Sequence, residues 1–172
     1  MNTLHSQLLT NIKPLTRDDP DEAKLINLIN QAIKNTHAHQ NFSVTLHTVF
    51  ALEKPSESLT YRPFERKLHN KFLLWAGCKQ TSLVATLRHG LKMPSIDQAE
   101  VGLMFGKGIY LTDCFSKAAN SCQVQVVSSF DQNRFGIVFL VEAALGQMHL
   151  AYQPDQFKHG PPIYCHSVYG VG

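Results

Sequence analysis

A chain of 172 residues that is 44% hydrophobic is long enough to bury a core as a single domain. Its net charge of +3 is mild and its Lys and Arg residues are scattered, which argues against a nucleic-acid groove. No apolar run reaches the roughly 18 residues that a membrane-spanning helix needs, so no membrane partner is expected. The four cysteines, Cys78, Cys114, Cys122 and Cys165, follow no signal peptide and show no C-x-x-C spacing. They read as reduced, intracellular thiols. His37-x-His39 and Cys165-His166 each lack a matching second half, so no metal site is expected.

Residues 1–11 carry no clear signal and read as a tail, and Ile12 to Leu15 reads as a short strand. Asp19-Pro20-Asp21-Glu22 predicts a helix start, with Asp19 as N-cap, Pro20 at the first helical position and Glu22 completing a capping box. Ile26, Ile29 and Ile33 share one face of that helix, which should end near Asn35. Alternation from Phe42 to Leu52 predicts a half-buried strand. Lys54 to Thr60 reads as a polar loop, followed by a short helix over Glu65 to His69. Phe72 to Trp75 reads as a central strand ended by Gly77.

Thr81 is placed to cap a helix over Ser82 to Arg88, with Gly90 as its stop. Met93 to Gln98 and Gln123 to Asn133 read as loops. Phe135 to Ala144 is a strongly apolar strand, Gly146 a turn, Met148 to Tyr152 extended, and the remainder loop. Strands outnumber helices and the helices lie between them, which predicts an α+β domain.

The stretch Met104 to Cys122, MFGKGIYLTDCFSKAANSC, stands out. Gly106-Lys107-Gly108 permits a tight turn, Ile109 to Leu111 reads as a strand, and Thr112 and Asp113 can cap a helix starting near Cys114. On spacing alone this is a strand–turn–helix corner, and a lone G-x-G is weak. As a string it resembles the nicotinamide pocket of the poly(ADP-ribose) polymerase catalytic domain, closest to the nuclear DNA-dependent polymerases. Leu68-His69-Asn70 through Leu73-Leu74-Trp75-Ala76-Gly77-Cys78 resembles the first NAD-binding strand of that family. The resemblance covers residues 12–172. It implies an ADP-ribosyltransferase fold, two packed antiparallel sheets with flanking helices and NAD+ as substrate in the cleft between them. It also implies nuclear or cytoplasmic residence, nuclear on the resemblance alone.

The family is described as using a His-Tyr-Glu set with a helping serine and a second stacking tyrosine. By resemblance Tyr110 matches the set's tyrosine, and Gly77 the glycine whose main chain pairs with the carboxamide. Lys107 and Lys117 stand where the family has lysines, and Lys117 is the one expected to face the cleft. Ala76 replaces the histidine, Cys78 the serine after the glycine, Ala118 the serine that donates to the carboxamide, and Ser121 the stacking tyrosine. The family glutamate lies on a later strand, beyond the loop that His166 to Gly172 resembles, so the final strands are expected to be missing. Glu142 matches a different family position.

No catalytic set is intact on this reading. The expected binding residues are Gly77, Cys78, Tyr110, Lys117, Ala118 and Ser121. The expectation is a shortened pseudoenzyme with weak or lost NAD+ binding; the alternative is an active mono-ADP-ribosyltransferase that releases nicotinamide. An open sheet edge along Phe135 to Ala144 would invite a protein partner.

Overall fold

The computed structural model describes residues 8–37, 42–93, 103–122, 135–154, 157 and 160–171. Two of the predicted loops, Gln123 to Asn133 and most of Met93 to Gln98, lie outside them, as does His39.

Near the start of the described residues Thr10 is buried, its hydroxyl donating to the Leu87 carbonyl at 2.6 Å. Strand β1 (Asn11–Pro14) pairs antiparallel with β2 (Phe50–Glu53). Between them runs α1 (Pro20–Thr36). Asp19 caps it by accepting from the Asp21 and Glu22 N–H groups, and Pro20 sits in its first turn. The expected capping box does not close. The Glu22 carboxylate instead takes the Thr16 N–H at 2.8 Å and the Lys13 ammonium, clasping α1 to β1. That pair lowers the Glu22 carboxyl and raises the Lys13 ammonium from their usual values, chiefly through their mutual hydrogen bond.

Two expectations fail in the middle of the chain. The alternating run from Phe42 forms a strand only at Phe50–Glu53, because β1 offers four residues to pair with. Alternation sets faces, but a strand also needs a neighbour to satisfy its main chain. The expected loop at Lys54 to Thr60 is the first half of α2 (Pro55–Lys67), which has Pro55 at its start, Glu57 in its first turn and Pro63 inside it.

Strand β3 (Lys71–Cys78) runs through Gly77 rather than ending at it, and pairs antiparallel with β4 (Ile137–Ala144) from Lys71↔Ala144 to Cys78↔Ile137. A 3-10 turn (Gln80–Ser82) leads into α3 (Leu83–His89), which carries no side-chain cap from Thr81 or Ser82 and stops at Gly90 with φ 77°. Helix α4 (Phe115–Asn120) follows the central stretch. The expected strand over Ile109 to Leu111 does not form, and one bridge, Trp75↔Thr112, stands just past it. Gly146 turns the chain at φ 56°, and β5 (Met148–Ala151) pairs parallel with β6 (Ser167–Gly170), a strand within the expected terminal loop.

The described strands thus make three two-stranded sheets, two antiparallel and one parallel, with helices packed on them. The core sits where α1, β3 and α4 meet: Ile33, Trp75, Phe115 and Ala118 are buried together, with Ile29, Ala32, Leu46, Val138 and Leu140 around them. Trp75 and Phe115 meet edge to face at 5.4 Å. The end of α1 also caps the start of α4, because the Thr36 hydroxyl accepts the Phe115 N–H at 3.1 Å. Among the described residues no helix is long and apolar enough to cross a membrane, and no group of three metal-ligating side chains converges.

Candidate functional site

The main chain of β3 has two edges with different fates. The Trp75 N–H donates to the Thr112 carbonyl at 2.7 Å, and the Thr112 N–H returns to Trp75 at 3.0 Å. Hydrogen-bonding direction alternates along an antiparallel strand, so the Gly77 N–H and C=O point to the same side as those of Trp75, away from β4. The bridge stops after Thr112, and among the described residues no partner meets Gly77 on that side. Continuing the register from Trp75↔Thr112 would place Tyr110 across from Gly77. Among the described residues the β3 edge at Gly77 therefore offers one donor and one acceptor side by side, a notch in the hydrogen-bonding ladder whose pattern complements a primary carboxamide.

Helix α4 packs directly on Gly77. A Cβ built on Gly77 would fall on the Ala118 carbonyl oxygen and lie 2.9 Å from the Ser121 Cβ. Gly77 is therefore glycine for a packing reason present in the protein itself: the α4 backbone rests on its Cα. Three of the expected residues, Gly77, Ala118 and Ser121, are brought together in this way. Ala118 is buried and supplies only a methyl group. Ser121 is exposed, and its hydroxyl turns back to the Lys117 carbonyl at 3.3 Å.

Ala76 and Cys78 are also buried, but side chains alternate along a strand, so both leave β3 on the face opposite α4. Cys78 donates to the Lys79 carbonyl at 3.3 Å, and burial pushes its thiol upward from the usual range. Cys122, just past α4, donates to the Ile137 carbonyl at 3.0 Å and is likewise raised by burial. Cys114 differs. Its Sγ lies 3.2 Å from the Ser116 hydroxyl, which holds the thiol below its ordinary value. Lys117 and Lys107 are both exposed.

Tyr110 is 45% exposed, and both sides of its hydroxyl are engaged within the glycine turn. It donates to the Gly106 carbonyl at 2.8 Å and accepts the Phe105 N–H at 3.0 Å. Glu142 lies on β4 and accepts a hydrogen bond from the Tyr61 hydroxyl of α2 at 3.0 Å, which ties helix to sheet. Sequence reasoning missed the roles of Phe105 and Gly170. The ring of Phe105 packs on Gly170 of β6, and only a G-x-G flanked by Phe hinted that this turn is packed from outside.

Comparison with known proteins bears on this geometry. The model of the poly(ADP-ribose) polymerase catalytic domain matches residues 24–172. Poly(ADP-ribose) polymerase 1 of Gallus gallus is 37% identical over 172 residues, 98% of this chain and 16% of the relative. The polymerase 1 of Arabidopsis thaliana is 36% identical over 170 residues, again 98% and 16%. The human polymerase 2 is 35% identical over 147 residues, 84% of this chain and 24% of the relative. The chain thus spans about a sixth to a quarter of the length of these relatives.

Proposed function

Because the chain belongs to the poly(ADP-ribose) polymerase catalytic-domain family, whose fold is the ADP-ribosyltransferase fold and whose substrate is NAD+, we propose that it is a pseudoenzyme of that family. On this reading it keeps the main-chain half of a nicotinamide site and has lost most of the side-chain half. The observation that carries the reading is the Gly77 notch. Among the described residues its donor and acceptor face an open edge, while the two α4 positions beside it are Ala118 and Ser121. A carboxamide can pair with the Gly77 main chain, but Ala118 adds no hydroxyl and Ser121 no aromatic wall.

Transfer of ADP-ribose requires the nicotinamide to be clamped, the ribose oriented and the developing positive charge stabilised. The first requirement is half met by Gly77 and the exposed Tyr110 ring. The second is unmet at Ala76, whose methyl group cannot hydrogen-bond to a ribose hydroxyl. Each missing hydrogen bond or aromatic stack weakens binding by about 1–2 kcal/mol, so the losses at Ala76, Ala118 and Ser121 together move affinity by about a hundredfold or more. NAD+ binding is accordingly weak and transfer slight.

The test is incubation of the purified chain with labelled NAD+, alongside thermal melts with NAD+ and with nicotinamide. Little or no incorporation is expected, together with a small stabilisation by either compound at millimolar concentration. Restoring the side chains as Ala118→Ser with Ser121→Tyr should tighten nicotinamide binding by about tenfold or more. Robust labelling of any acceptor by the unaltered chain would overturn the pseudoenzyme reading in favour of an active mono-ADP-ribosyltransferase.

A further inference from the structure

The glycine turn that carries Tyr110 is gripped from two directions. From within, the Tyr110 hydroxyl holds Phe105 and Gly106 by the two hydrogen bonds already described, which use its donor and its main acceptor site. From outside, the turn is seated on the segment containing β5 and β6. The Phe105 ring rests on Gly170, where an added Cβ would come within 2.7 Å of the ring's Cε2 and Cζ atoms. Gly106, at φ 80°, rests on the Phe157 main chain, where a Cβ would lie 2.7 Å from the carbonyl oxygen. Among the described residues no ladder hydrogen bond holds the Tyr110 main chain, since the pairing with β3 ends at Thr112. Among the described residues, the two hydrogen bonds of the hydroxyl are what tie the Tyr110 side chain to the turn.

We propose that Phe105 and Gly170 are positioning residues for ligand binding: β6 sets, through the Phe105 ring and the Tyr110 hydroxyl, where the Tyr110 ring stands beside the Gly77 notch. This rests on the reading of Tyr110 as a wall of the nicotinamide site. It also assigns a division of labour within one side chain. The hydroxyl is committed to the turn, and only the ring face is left for a ligand.

The clamp is tested first without ligand, by hydrogen exchange at the Phe105 amide in the full chain. Tyr110→Phe removes the acceptor, and Gly170→Val displaces the Phe105 ring from β6. Each should speed exchange at Phe105 by about tenfold, with the double variant no faster than the single ones, while the Trp75 and Thr112 amides keep their protection. If Gly170→Val loses protection throughout, Phe105→Leu, which keeps an apolar side chain but loses the ring edge, should reproduce the local effect. Unchanged Phe105 exchange in the Gly170 and Phe105 variants, or additive effects in the double variant, overturns the proposal.

Nicotinamide titration then separates the proposal from the reading beneath it. Affinity should fall by about fivefold in either single variant and no further in the double. Nicotinamide that binds the unaltered chain and all variants equally overturns the positioning role. No binding to the unaltered chain, with the exchange pattern as expected, defeats the pocket reading while the coupling of β6 to Tyr110 stands.

Discussion

The two regions that carry the expected binding residues are built on opposite principles. The region made by β3 and α4 is held by burial: Trp75, Phe115 and Ala118 are 6%, 5% and 3% exposed, and Gly77 is in direct contact with the α4 backbone. The glycine turn that carries Tyr110 is held by two hydrogen bonds to a half-exposed tyrosine and by one ring resting on Gly170. On the pseudoenzyme reading, the difference gives a physical reason for a binding frame to outlast its chemistry. The β3–α4 region belongs to the buried cluster, so on that reading its geometry persists even where Ala118 and Ser121 supply no recognition. The glycine turn lies outside that cluster.

Core substitutions should separate the two regions most sharply. Trp75→Ala removes the centre of the buried cluster and is expected to cost about 3–5 kcal/mol of stability, read by denaturant unfolding, whereas Tyr110→Phe should cost about 1 kcal/mol. Similar losses from both would erase the distinction. Gly77→Ala comes next, at about 1–3 kcal/mol, because its methyl group would displace the Ala118 carbonyl. An unchanged melt would mean that α4 shifts freely and that the notch is not set by packing.

A smaller effect is expected at the tie between α2 and β4. Burial, helped by the Glu142 carboxylate, pushes the Tyr61 phenol up to about 12. A raised folded value stabilises the protein below the ordinary tyrosine value of about 10 and loses that contribution as pH rises from there towards about 12. Tyr61→Phe should therefore lower stability by about 1 kcal/mol or less at neutral pH, and flatten the fall in stability above about pH 10. The smallest effect is kinetic. Alkylation mapped by mass spectrometry near neutral pH should reach Cys114 before Cys78 or Cys122, since the Ser116 hydroxyl favours its thiolate while burial disfavours theirs. Early modification of Cys78 would mean that β3 opens more readily than its burial implies.

Local chemistry made part of this protein readable in advance. Asp19 and Pro20 start α1 where expected, its isoleucines reach the core, and Gly90 and Gly146 take the left-handed conformations that turns demand. The apolar runs of β3 and β4 are strands, and the string from Met104 to Cys122 together with the block from Leu68 to Cys78 placed the family. These features are fixed by neighbours within a few residues, and sequence carries that information directly. Other features depended on what the chain meets at long range. Among the described residues, the alternation from Phe42 finds only the four-residue β1 as a partner strand. Pro55 starts a helix although its surroundings read as loop. Only folding decided that the close approach permitted by Gly77 is occupied by the α4 backbone, and that the Tyr110 hydroxyl is spent on its own turn. A residue's type states what it can bond or admit; which neighbour takes that place is settled by packing between segments far apart in the chain.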